Sequence, residues 1–244
     1  MLNKAAREGR PWALVSAGAQ GLGAAIVEGL VADGYSVLIH YHRSRAAAEA
    51  LVTRLPDGCA SAVQADLSTP DGCQRIIRAV TGGPGRLDVL VNNLGVYPEK
   101  RLPEFSTQEF REIFEVTCTS VFSLTTELLP ILRKSARPRV INIGDSAADR
   151  IEARVLATPY HIAKIGVNIL TRSFAKSLKD EAVTINMVSP GFLENSVGSP
   201  GEPLPKDQPG SFEDMMGAIR YLLSPAADYV SGTNIVVSGG WNLG

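Results

Sequence analysis

Seven strand-length apolar runs recur along the chain with helical patterns between them, and that alternation leaves few folds open. The runs are WALVS (12–16), YSVLIHY (35–41), CASAVQA (59–65), LDVLVNN (87–93), RVINIG (139–144), VTINMVS (183–189) and NIVVS (234–238). Most are rich in Val, Ile and Leu without polar alternation, which marks strands buried on both faces. The segments between them, such as AAIVEGLVADG and STPDGCQRIIRAV, are amphipathic, with Gly34 placed as a C-cap and Ser68 or Thr69 as an N-cap. Strand–helix–strand repetition requires parallel strands and crossover helices. The expectation is therefore an α/β, doubly wound (Rossmann-type) domain with a seven-stranded parallel sheet and helices on both faces. A length of 244 residues suits one such domain over 1–244, and neither a repeat of fixed period nor a linker divides it. Sheets of this kind bind ligands at the carboxyl ends of their strands.

Composition narrows the function classes. Net charge is −1 and the basic residues are dispersed, so no nucleic-acid or membrane surface is expected, and a small-molecule substrate is. The apolar runs are too short to span a bilayer. MLNKAAREGRP is polar and basic, so residues 1–10 are expected to fray and a cytoplasmic location follows. Cys59, Cys73 and Cys118 have no metal-site or CxxC spacing, and no metal is expected. The stretch ENSVGSPGEPLPKDQPGS (194–211) is loaded with Pro, Gly and Ser and reads as a substrate-side loop, a lid in preference to a disordered segment.

SAGAQGLG (16–23) follows the first strand and opens the first helix. In that setting Ser16, Gly18, Gln20, Gly21 and Leu22 form a phosphate-binding turn. Gly21 and Gly23 let backbone amides approach an anion that the helix dipole favours. The second strand ends HYHRS (40–44), with no acid to accept from a ribose 2′-hydroxyl. Arg43 offers a fork of donors there, with His42 and Ser44 beside it, which suits the 2′-phosphate of NADP(H) better than NAD. Asp66 and Leu67, in QADLS, are candidates for the adenine end; Asp66 serves equally as a cap for the next helix.

Taken together, the fingerprint, VNNLG (91–95), YHIAK (160–164) and SPG (189–191) resemble the short-chain dehydrogenase/reductase family. The resemblance implies Tyr160 as proton donor and Lys164 as the group that holds the nicotinamide ribose and lowers the tyrosine pKa. It places Asn93 and Gly95 along the cofactor cleft, Pro190 and Gly191 against the nicotinamide, and implies a homotetramer. Physical chemistry agrees on the pair. A free tyrosine titrates near ~10 and needs a neighbouring cation to work as an acid–base group. A spacing of four puts both side chains on one helical face. The chain departs from the pattern at Ala17, where the first glycine is usual, at Leu94 and Thr117, where alanine and asparagine are usual, and at SGG (238–240).

The family's third catalytic position, usually serine, falls three residues after Asn142, on Asp145, with Ser146 one place late. In an extended strand one residue reverses the face, so Asp145 leads unless a bulge brings Ser146 round. An ionised aspartate only accepts hydrogen bonds, which suits a ring N–H and repels a developing alkoxide. Pteridine reductases, which EGLVADGYSVLIHYHRSRAAAEAL and VQADLS also resemble, carry aspartate there and an aromatic at the position of Tyr97. Phe192, beside Gly191, is the second substrate-side candidate. The leading expectation is thus an NADPH-dependent reductase of a C=N or C=O bond, with a dihydropteridine-like ring as substrate. A 3-oxoacyl thioester or other ketone is the alternative, and a weakly catalytic NADPH-binding protein a further one.

Overall fold

The computed structural model describes residues 9–196, 200 and 203–241, so most of the expected tail and part of the 194–211 loop lie outside the described residues. Seven strands form one parallel sheet: β1 Trp12–Val15, β2 Ser36–Tyr41, β3 Ala60–Gln64, β4 Val89–Asn92, β5 Arg139–Ile143, β6 Thr184–Pro190 and β7 Asn234–Val237, in the order β3-β2-β1-β4-β5-β6-β7. Helices α1 Gly21–Ala32, α2 Arg45–Arg54, α3 Pro70–Gly82, α4 Thr107–Phe114, α5 Ser120–Leu132, α6 Thr158–Ser177 and α7 Phe212–Leu223 cover it. No helix among the described residues is long and apolar enough to cross a membrane.

The two-sided burial follows from the strand's period of two. In β1, Ala13 and Val15 pack with Ile26, Leu30 and Ile219 of α1 and α7, while Leu14 between them packs with Ile76 and Leu128 of α3 and α5. β4 repeats the division, with Val89 and Val91 on one side and Leu90 on the other. Each such fully buried Leu, Ile or Val contributes about 1.5–3 kcal/mol. The outer strands β3 and β7 differ from expectation, since they are half-exposed rather than buried throughout. They are the sheet's edges, each flanked by one neighbour only.

Helix ends follow local chemistry. α1 stops where Gly34 takes φ +94° and its N–H, with that of Tyr35, returns to the carbonyls of Val31 and Leu30. Of the two candidate caps ahead of α3, Thr69 serves, accepting from the Gly72 N–H at 3.1 Å. A buried amide chain then ties the sheet to α6: Asn92 donates to Asn142 at 2.8 Å, and Asn142 donates to Thr171 at 2.8 Å. Winding reverses after β3, so the carboxyl ends of β1 and β4 part and open a crevice.

Candidate active site

The turn between β1 and α1 is built around two left-handed residues, Ala17 (φ +48°) and Gly21 (φ +52°). Alanine pays roughly 1–2 kcal/mol for that conformation, and three contacts hold it. Its N–H donates to His40 Nδ1 at 3.0 Å, its carbonyl accepts from Asn93 Nδ2 at 3.2 Å, and Asn93 Nδ2 also reaches the Ser16 carbonyl at 3.1 Å. His40, 1% exposed, sets its Nε2 against the Ala65 carbonyl at 3.1 Å, which leaves Nδ1 as the acceptor. Burial lowers its pKa to about 4, so it stays neutral. The substitution at the fingerprint's first glycine therefore leaves the turn intact.

The predicted cofactor residues divide by task. The Ser16 hydroxyl accepts the N–H groups of Asn93 and Leu94, holding β4 to the turn. Gly18 packs in the interior: a Cβ there would stand 3.1 Å from Val27 and 3.2 Å from Ile39. Gly23 is the close approach, since its Cβ would fall 2.2 Å from the Ala17 carbonyl oxygen. Gln20, Gly21 and Leu22 line a cleft of roughly 670 Å³, faced by His42, Arg43 and Ser44 at the end of β2 and by Asn93 and Gly95 after β4. Ser44 also donates to the Gln20 side chain at 2.8 Å.

This cleft fits a dinucleotide phosphate. α1 starts without a side-chain cap from Gln20 and without an acid in its first turn, so its leading N–H groups stay available to an anion. Arg43 and His42 are exposed where a 2′-phosphate needs donors. Asp66 is engaged locally: one oxygen accepts the N–H and hydroxyl of Ser68, which leads the depression of its pKa, and the other stands 3.7 Å from His42. The Leu67 side chain turns into the core. Sequence reasoning missed Asn195, which lines the cleft and whose amide nitrogen would lie 2.7 Å from a Cβ on Gly21. Its place four residues after Gly191, past the end of β6, was the only pointer.

At the other end, α6 starts after left-handed Ala157 (φ +51°) with Pro159 in its first turn, where a missing N–H costs nothing. Lys164 is 3% exposed and donates to the Ile143 carbonyl at 2.6 Å, with Nζ 5.7 Å from the centre of the Tyr160 ring. Burial lowers its pKa to about 8, opposed by the Asp145 charge. Gly95 joins the two ends of the cleft, since a Cβ there would stand 3.1 Å from Lys164 Nζ and 3.3 Å from the Tyr160 ring. Burial first, then the Asp145 charge, Tyr97 and a side-chain hydrogen bond to Asp145, holds the Tyr160 hydroxyl well above its ordinary pKa. The direction is opposite to the lowering expected from Lys164, and the hydroxyl stays a phenol.

Asp145, two residues past the end of β5, accepts the Ala147 N–H at 2.9 Å and lies 3.9 Å from His161 Nδ1. Its charge reaches Tyr160, Lys164 and Tyr97. Ser146 is 4% exposed and bound through its backbone N–H to the Pro190 carbonyl at 3.0 Å. The fold therefore groups Asp145 with Tyr160. Tyr97 joins them edge-on, its ring centre 5.2 Å from Tyr160 and 5.9 Å from His161. Phe192 packs instead on Trp241, at 6.2 Å, and Gly191 is pressed beneath Ser238 and Trp241. Thr117, in a π-helical turn over Glu115–Thr119, is fully buried with a hydroxyl that has no partner among the described residues. His161 was not singled out from the sequence, where it reads as one more position on a helix surface.

Residues 16–242 match the family model described as enoyl-(acyl carrier protein) reductase. The chain is 32% identical over 241 residues to the 3-oxoacyl-(acyl-carrier-protein) reductase of Synechocystis, covering 93% of this chain and 95% of that one. It is 31% identical over 246 residues to the rhamnolipids biosynthesis 3-oxoacyl-(acyl-carrier-protein) reductase of Pseudomonas aeruginosa, covering 95% and 96%. Among solved structures, the Pseudomonas aeruginosa RhlG/NADP active-site complex superposes with a TM-score of 0.84 at 32% identity, covering 96% of this chain and 97% of that one. With the fold, the fingerprint turn and the Tyr160–Lys164 pair in place, the chain belongs to the short-chain dehydrogenase/reductase family of oxidoreductases.

Proposed function

We propose that this oxidoreductase reduces the ketone of a 3-oxoacyl thioester or a related small molecule, with Tyr160 delivering the proton and Lys164 holding the ribose and the tyrosine. The observation that carries the reading is Tyr160 set beside buried Lys164 against Gly95, the residue shared with the cofactor cleft. The names of the relatives favour a 3-oxoacyl substrate over the pteridine ring that the narrower sequence resemblance suggested. NADPH supplies the hydride. The N-terminus of α1 and Asn195 hold its pyrophosphate, and Arg43 with His42 its 2′-phosphate. As expected of the family, the reading includes a single domain, a homotetramer and a cytoplasmic location.

One observation keeps a second substrate class in view. Asp145 and Tyr97 beside Tyr160 suit a ring whose N–H groups need an acceptor, as a dihydropteridine has. The test offers acetoacetyl thioester and dihydrobiopterin in parallel and follows NADPH oxidation. Turnover of the thioester alone supports the ketone reading, and turnover of the pterin alone replaces it with the ring reading. Tight NADPH binding with neither turned over supports a binding protein of little catalysis.

Cofactor choice is tested separately. Arg43→Ala is expected to weaken NADPH binding about 10- to 100-fold, the loss of one charged hydrogen-bonding partner worth about 1.5–3 kcal/mol. NADH binding should stay within about twofold of wild type. Fluorescence titration of both cofactors reads the difference, and equal losses for the two would remove Arg43 from the 2′-phosphate.

A further inference from the structure

We infer that His161 and Asp145 form the proton path that recharges Tyr160 from solvent after each reduction. The inference rests on Tyr160 being the proton donor. Each turnover consumes one proton, taken from the tyrosine hydroxyl, and leaves a phenolate at a half-buried side chain. That phenolate must be reprotonated before the next cycle, and the source has to reach water.

Two side chains near Tyr160 carry exchangeable protons and stand in line. Asp145 is both charge partner and hydrogen-bond partner of the Tyr160 side chain. His161 Nδ1 lies 3.9 Å from Asp145 Oδ1, within reach of a small rotation, and the imidazole is 14% exposed against 21% for the carboxylate. The imidazole ring packs edge-on against Tyr160 at 5.4 Å and Tyr97 at 5.9 Å, which fixes it beside the site. In the step itself, the Asp145 carboxylate takes a proton from the His161 imidazolium and passes it to the phenolate. Asp145 is then a carboxylate again, and the neutral imidazole takes a proton from solvent. The sum is one solvent proton delivered to the Tyr160 oxygen, with no other bond made or broken.

The charged surroundings are compatible with this task. Facing His161 are Asp145 from the turn after β5, Glu152 and Arg154 from the loop before α6, and Tyr97 from the loop after β4, with Tyr160 and, beyond Asp145, Lys164 on its own helix. Burial lowers the imidazole pKa and the Asp145 charge opposes that.

His161 acts through Asp145 and is a positioning and relay residue, so the test must separate relay from packing. His161→Ala is expected to lower kcat about 10- to 100-fold, the lower range for a proton-transfer group, with the NADPH Kd unchanged. The loss should grow as pH rises and solvent protons become scarce, and added imidazole should restore most of it. His161→Gln, which keeps the volume, should behave alike without rescue of its own shape, and it carries the test if the alanine variant loses its fold. A kcat within about twofold of wild type, or a loss equal at every pH and unmoved by imidazole, overturns the path. A readout without turnover decides the pair itself: by NMR, the His161 pKa should fall in Asp145→Asn, because the charge that raises it is gone. An unchanged pKa overturns the path even if neither substrate reacts. Failure of the wild type to oxidise NADPH with either substrate counts against the proposed function alone.

Discussion

Tyr160→Phe is expected to lower kcat by about a thousandfold while leaving the fold and the NADPH Kd in place. The variant deletes one oxygen and keeps the ring that packs against Tyr97 and His161, so the aromatic cluster survives. What disappears is the proton at the point of reduction. A positioned acid contributes about 10²–10⁴ in rate. The middle of that range is expected here, where Tyr160 stands beside Lys164 and Tyr97. Steady-state turnover, cofactor titration and a thermal melt on the same preparation read the three quantities. If activity stays within tenfold of wild type, Asp145 or a water supplies the proton and the role assigned to Tyr160 falls.

The core of the fold was legible because burial on both faces of a central strand leaves a continuous apolar run, and runs such as LDVLVNN have no other stable use. The edges were not. CASAVQA reads like a core strand, yet nothing in its composition says that β3 ends the sheet and leaves its side chains half-exposed. At the site, Tyr160 and Lys164 were visible because their relation is local, four residues on one helix. Asp145 was reached by counting from Asn142, which works because β5 is regular up to Ile143 and the register carries the count. His40, His161 and Asn195 were not legible. His40 acts on Ala17 across 23 residues of sequence, and Asn195 meets Gly21 only because the loop after β6 reaches the start of α1. Such contacts depend on which strands become neighbours, and local pattern does not encode that. Phe192 shows the same limit, since adjacency to Gly191 suggested the site and gave no sign of its packing on Trp241.

Gly23→Ala is expected to cost about 3 kcal/mol of stability and to weaken NADPH binding by more than tenfold, although it adds a single methyl group. The added Cβ would lie 2.2 Å from the Ala17 carbonyl oxygen and 2.7 Å from the Asn93 amide nitrogen. The first of these is backbone, so no rotamer change relieves it. Ala17 has little freedom to retreat, being left-handed already and fixed through its N–H by His40. The turn must shift as a whole, which breaks the Asn93 bonds to Ser16 and Ala17 at about 1 kcal/mol each and adds overpacking strain of about 1–3 kcal/mol. For a chain of this size each kcal/mol moves Tm by about 2–4 °C, so a fall of roughly 6–12 °C is expected. Cofactor affinity falls for a separate reason: α1 begins two residues earlier, and its leading N–H groups move with the turn. Gly217→Ala is the matched control. That glycine lies inside α7 with nothing within 4 Å of a new Cβ, and alanine there should stabilise by about 0.5–1 kcal/mol and leave NADPH binding alone. A Gly23→Ala protein that melts and binds like wild type would mean that the turn relaxes freely, and the phosphate would then have to be held by something other than the rigid cradle of Ala17, Asn93 and Gly23.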